Sequence, residues 1–177
     1  MLQDELDRVL ASDYLGDLSA RSVEEIRSLR AECQRAEGKL SYMRRLVQGR
    51  LDIVARELRQ RAEGQNPSDL PDLVENLPEI LADNVHGARH ERLVANLHPP
   101  DIDEVTAEID AKAGTGALGS LSELSDDDLR ALHDRLSSFD REVSDQRRAL
   151  FGRIDSLSAE LTRRYKDGEA SVETALS

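Results

Sequence analysis

Two runs of apolar residues limit what this chain can fold into. The first is Ile26, Leu29, Cys33, Ala36, Leu40, Met43, Val47, Leu51, Val54, Leu58. Its steps alternate three and four, with two successive fours at Met43, Val47 and Leu51. On a helix such steps draw one narrow stripe, the seam of a coiled coil, and the doubled four is a stutter that locally unwinds it. The second run is Leu129, Leu132, Leu136, Phe139, Val143, Gln146, Leu150, Ile154, Leu157, Leu161, each 103 residues beyond its counterpart, stutter included. Both runs open on capping-box spacing, Ser22 with Glu25 and Ser125 with Asp128. Gly64 and Pro67 close the first. The pattern predicts an all-α fold, a long antiparallel two-helix coiled coil.

Composition supports this class. The chain has three Tyr, two Phe and no Trp, and 34% of its residues are charged. Helices packed along seams need fewer large side chains than a β-sandwich or a large α/β enzyme core. The expected organisation is an N-terminal amphipathic helix in 1–17, a first coiled-coil helix in 18–64, an acidic middle segment of small helices and a hinge in 65–120, a second coiled-coil helix in 121–166 and a polar tail in 167–177. Leu2, Leu6, Val9, Leu10 and Tyr14 share one face of the N-terminal helix, read over 2–15. The middle holds all five prolines, and short helical pieces are expected at 69–83, 88–97 and 101–113. A GTGALGS stretch at 114–120 reads as a flexible hinge. Over 62–120 twelve Asp and Glu face Arg89, Arg92 and Lys112, for a net −9.

Several function classes drop out. The single Cys33 excludes an internal disulfide and a Cys-rich zinc site, and its seam position suits a core thiol. His86 and His90 are four apart, with no third ligand at a characteristic spacing, so no metal is expected. A net charge of −12 argues against direct DNA binding and suits a basic protein partner. No apolar run approaches the roughly 20 residues that span a bilayer, so no membrane partner and a cytoplasmic location are expected. An enzyme is not expected: a Gly-rich phosphate loop, a metal triad and a nucleophile–base pair are all missing.

Beside the first seam runs a polar ladder: Glu37, Ser41, Arg44, Gln48, Asp52. Its steps keep five side chains on one stripe about 22 Å long. It recurs 103 residues later as Asp140, Ser144, Arg147, Phe151, Asp155. Residues 18–61 and 121–164 align without a gap, and the identities include polar positions: Ser41/Ser144, Arg44/Arg147, Arg45/Arg148, Gly49/Gly152, Arg50/Arg153, Asp52/Asp155, Glu57/Glu160 and Arg61/Arg164. Two zipper helices would share leucines but not these, so duplication is the better reading. Glycine within a helix costs about 1 kcal/mol relative to alanine. The twin glycines therefore suit either a flat ligand close to the backbone or a helix contact too tight for Cβ. Locally the helices are basic, +4 over 41–61 and +2 over 144–164. Arginine can bind guanine O6/N7 or phosphate bidentately, and a carboxylate can accept from guanine N1–H and N2–H. The set suits a guanine nucleotide bound twice. A solvated charged face with ion pairs four residues apart is the alternative, and with it a structural coiled-coil adaptor that binds no nucleotide.

The run Glu37, Ser41, Arg44, Gln48, Asp52 and its second copy resemble the signature of the actinobacterial RsiG family of anti-sigma factors, over 18–61 and 121–164 and loosely between them. The resemblance implies that Glu37, Ser41, Arg44, Gln48 and Asp52 contact cyclic di-GMP, with roles for Asp140, Ser144, Arg147 and Asp155. Arg45, Gly49, Arg50, Arg148, Phe151, Gly152 and Arg153 are possible supporting residues. It implies a ligand dimer held between antiparallel helices, and a WhiG-like sporulation sigma factor held inactive by the loaded protein. The second copy departs twice from the signature. Asp140 is the shorter carboxylate, and Phe151 replaces the amide and either stacks on a base or packs on the seam.

Overall fold

A computed structural model of the protein describes residues 2–64, 99–114 and 121–168. Among them lie four helices, α1 (Leu2–Leu10), α2 (Val23–Ala62), α3 (Pro99–Ala113) and α4 (Asp126–Lys166), with a 3₁₀ turn at Leu18–Ala20 and no strand. The fold is all-α. The expected helical pieces at 69–83 and 88–97, the histidines at 86, 90 and 98, the hinge residues 115–120 and the tail from 169 lie outside the described residues.

Both long helices start where their capping boxes predict. The Glu25 N–H donates to Ser22 Oγ at 3.1 Å, and the Ser22 N–H donates to the Glu25 carboxylate at 2.6 Å. In the second box the Asp128 N–H donates to Ser125 Oγ at 3.1 Å. The aspartate is one methylene too short to reach back to the backbone, and the Ser125 hydroxyl donates to it instead at 2.6 Å. Gly64 ends α2 with φ +70° and Gly114 ends α3 with φ +69°, a conformation that glycine adopts freely. α1 stops at Leu10, short of the expected residue 15. Its last carbonyls are taken by Arg153 from α4, and the chain then turns through Gly16 at φ +56°.

The chain divides into two units, Met1–Leu40 with Asp145–Ser177, and Ser41–Ser144. In the first, α1 buries Leu2, Leu6 and Val9 beside Ile26, Cys33, Ala36 and Leu40 of α2 and Leu150, Leu157 and Leu161 of α4. The long helices run antiparallel there: Arg27 hydrogen-bonds Tyr165, while Arg147 reaches Glu37. In the second, α3 buries Val105 and Ile109 beside Met43, Val47 and Val54 of α2 and Leu129, Leu132, Leu136, Phe139 and Val143 of α4. The helices are antiparallel again, with Arg44 facing Asp140 and Arg61 reaching Leu124.

Each unit thus holds one short helix on a pair of long-helix segments, and the offset of 103 carries Leu2 and Leu6 of α1 onto Val105 and Ile109 of α3. Of the expected seam residues, Leu29, Leu51, Leu58, Gln146 and Ile154 are half-buried and the rest are buried. Leu51 and Ile154 occupy equivalent positions at the stutter, where unwinding turns a residue aside from the seam.

Candidate functional site

Each unit carries one ion pair from ladder to ladder. In the first unit the Arg147 guanidinium donates twice to Glu37 Oε1, from Nε at 3.1 Å and from Nη2 at 2.9 Å. The equivalent pair in the second unit is Arg44 with Asp140, Nε to Oδ1 at 3.3 Å. Here the shorter carboxylate matters. The charges are close enough to attract, yet the angle is wrong for a hydrogen bond, and Arg44 Nε and Asp140 Oδ1 are both buried without one. A buried polar atom left unsatisfied costs about 1–3 kcal/mol. The Arg44 side chain is 36% exposed, against 21% for Arg147, so its remaining nitrogens face solvent.

The other ladder positions divide between the units in the same way. Ser41 is buried, Gln48 and Ser144 are half-buried, and Asp52 is exposed; these belong to the second unit with Arg44 and Asp140. The first unit holds Glu37, Arg147, Phe151 and the exposed Asp155. Phe151 does not pack on the seam. It is 45% exposed, with the Arg147 guanidinium 5.5 Å from its ring centroid. Beside the ladders, a Cβ built on Gly49 or Gly152 would meet nothing within 4 Å. A close helix contact is therefore not what keeps either residue glycine.

The supporting arginines have separate tasks. Arg45 and Arg148 are exposed, and Arg148 bonds Asp145 on its own helix at 2.8 Å. Arg153 donates to the carbonyls of Val9, Leu10 and Ala11 at 2.5, 2.7 and 2.9 Å, and its guanidinium also lies 5.8 Å from the Tyr14 ring centroid. The equivalent Arg50 bonds Asp110 of α3 at 2.8 Å. Both tie a long helix to a short one. Tyr14 is itself half-buried and donates to Glu32, and burial first, then that bond, pushes its hydroxyl well above the usual range.

A second set of residues went without a role in the sequence, although the identities at Glu57/Glu160 and Arg61/Arg164 were visible. Arg61 donates to the carbonyls of Leu121 and Leu124 at 2.8 and 2.7 Å, and Glu57 holds its Nε at 2.7 Å. Arg164 donates to the carbonyls of Leu18 and Arg21 at 2.7 and 2.5 Å, and Glu160 holds its Nε at 2.8 Å. These partners are 103 residues from their counterparts in the other clamp, while the further bond of Arg61 to Asp126, at 3.0 Å, has no equivalent. Arg163 and then Arg164 hold the Glu160 carboxyl at about 2. Lys39 and its counterpart Glu142 carry opposite charges: Lys39 binds Glu5 at 2.7 Å, and Glu142 accepts at 3.3 Å from Lys112, one helical turn beyond Glu108, the counterpart of Glu5.

Among the described residues no group of three or more His, Cys, Asp or Glu could hold a metal ion, and no helix is long and apolar enough to cross a membrane. What the ladders offer is two guanidiniums, each facing a carboxylate. A ligand that brings both anionic acceptors and N–H donors can take either partner's place. A family model described as RsiG-like matches residues 12–81 and 115–177. Comparison with curated proteins gives no match.

Proposed function

Because the chain belongs to the RsiG-like family, a family of regulators and not of enzymes, we propose that it is an anti-sigma factor gated by cyclic di-GMP. The observation that carries the ligand is the Arg44–Asp140 pair, two buried charged atoms 3.3 Å apart that make no hydrogen bond. Cyclic di-GMP supplies what both lack. Its phosphates and guanine O6/N7 edges accept from Arg44 and Arg147, and its guanine N1–H and N2–H donate to the facing carboxylates. Ser41 and Ser144 can donate to phosphate, and Gln48, Asp52 and Asp155 complete the edges. The open space at Gly49 and Gly152 supports a base or sugar lying close to the helix backbone.

The ligand inserts into each ion pair and gives both members a new partner. The loaded protein then holds a sigma factor of the WhiG type away from RNA polymerase. The chain's net −12 suits the basic DNA-binding surfaces of such a partner, which also argues against DNA as its own target.

A second reading has one observation in its favour. Glu37 already satisfies Arg147 with two hydrogen bonds, as a plain adaptor with no nucleotide would require. Calorimetric titration of the full chain with cyclic di-GMP separates the two. We expect heat in the wild type and none in an Arg44→Ala/Arg147→Ala variant; no heat in the wild type supports the adaptor. Pull-down of the sigma factor should need the ligand, and equal capture with and without it would sink the gating claim.

A further inference from the structure

In each unit the short helix is tied to both long helices. α1 reaches α2 through Glu5 to Lys39 and Arg8 to Glu32, both at 2.7 Å, and the carbonyls at its end accept from Arg153 of α4. α3 reaches α2 through Asp110 to Arg50 at 2.8 Å, and α4 through Lys112 to Glu142 at 3.3 Å. These footholds lie across the long helices from the ladders. Lys39 follows Glu37, and Glu142 follows Asp140, by two residues, or about 200° around a helix. Arg153 follows Arg147, and Arg50 follows Arg44, by six, or about 240°. Each unit is therefore built in three levels: a ladder ion pair on one face, the packed seam beneath it, and a short helix fastened over the other face.

We infer that α1 and α3 are straps that set the spacing of the ladder pairs and oppose ligand entry, with Glu5, Asp110 and Lys112 as positioning residues that act without touching the ligand. This rests on the cyclic di-GMP reading above, in which the ligand enters each ion pair. Glu37 and Arg147 stand 2.9 Å apart, and Arg44 and Asp140 3.3 Å. A ligand group that bonds both members of a pair, at about 2.9 Å to each, holds them about 5 Å apart or more. All four side chains are half-buried, which limits how far they can swing, so the long helices give way with them. Dense packing makes the seam the pivot. As the ladder edges rock apart about it, the opposite edges close beneath the short helix and shift its footholds. Ligand entry thus strains the strap, and by linkage a loosened strap eases ligand entry. The two straps differ in strength. The side chains of Lys39 and Glu5 are 7% and 20% exposed, those of Lys112 and Glu142 42% and 45%, so α1 is the firmer restraint.

The test uses the full chain with and without cyclic di-GMP. Hydrogen exchange is followed in the wild type. A bound ligand ordinarily slows exchange by stabilising the fold. We expect the amides of α1 and α3 to shift the other way, toward faster exchange, while those of α2 and α4 slow. Calorimetric titration then compares the wild type with Asp110→Asn/Lys112→Gln, which alters two exposed side chains and leaves the net charge unchanged. This variant should melt lower yet bind cyclic di-GMP about two- to fivefold more tightly, the effect of losing two exposed ion pairs. Glu5→Gln should tighten binding further, by about tenfold, since its pair is the more buried. Asp7→Asn, an exposed neutralisation on the same helix, is its charge control and should leave affinity unchanged. A merely structural role would lower stability without raising affinity. Affinity unchanged or lower in Asp110→Asn/Lys112→Gln, or slower exchange at α1 and α3 on binding, would overturn the inference and leave cyclic di-GMP binding standing. No heat from the wild type would overturn both.

Discussion

Gly49 and Gly152 weaken the helices that carry them, and nothing among the described residues requires their small size. Alanine at either site should raise stability by about 1 kcal/mol, which for a chain of this size lifts Tm by roughly 2–4 °C. If the glycines serve the ligand, the same variants should lose cyclic di-GMP affinity, and melts with and without the ligand would show the two effects moving in opposite directions. A second test concerns the length of one side chain. Asp140→Glu gives the second unit the carboxylate that Glu37 gives the first, so Arg44 should gain the hydrogen bond it now lacks. Chemical denaturation should show the free protein stabilised by about 0.5–1.5 kcal/mol, while ligand affinity falls because Arg44 is better satisfied without it. At this scale the sequence showed the departures at Asp140 and Phe151 but not their consequences. A bond angle at Arg44 and the exposure of a ring are set by the helix pairing, and no spacing rule contains them.

The long helices were legible as elements, because three-and-four spacing and capping boxes are local properties of the chain. The end of α1 was not, because Arg153, far along the sequence, takes the carbonyls at its C-terminus. The clamps of Arg61 and Arg164 are likewise long-range, although the letters recur. Arg164 is buried and fixes the turn before α2 through the Leu18 and Arg21 carbonyls. Arg164→Met should cost about 1–2 kcal/mol, since it strands the half-buried carbonyls of Leu18 and Arg21. Arg164→Lys should not restore the loss, because one ammonium cannot span two carbonyls and Glu160 as a planar fork does. Chemical denaturation checks both. Glu160 supplies a pH dependence. Its carboxyl titrates at about 2, below its ordinary 4.5. A group depressed on folding stabilises fully above its unfolded value and loses that contribution as pH falls through its folded one. The wild type should therefore lose stability between about pH 4.5 and 2, and Glu160→Gln should flatten that part of the curve.

For the whole molecule, the helical class and the two polar ladders are legible in spacing, and the family resemblance in the residues Glu37, Ser41, Arg44, Gln48 and Asp52 that fill the first ladder. What was not readable is that the short helices α1 and α3 stand at equivalent places in their units, each held by an arginine 103 residues from the other, Arg153 and Arg50. Chains with two such similar halves face a problem of identity. Leu2 and Leu6 of α1 could fill the space of Val105 and Ile109 of α3, and the converse, for little loss in burial. The lysine of α3 prevents the exchange. The offset of 103 carries Val9 of α1 onto Lys112 of α3. A swapped α3 would set the Lys112 ammonium where Val9 is buried, and a swapped α1 would leave Glu142 without its cation. Burying a charge without a partner is costly, so that mistake would be severe. Lys112 acts as an address label, telling two interchangeable helices which berth is theirs, and it guards against two chains trading them.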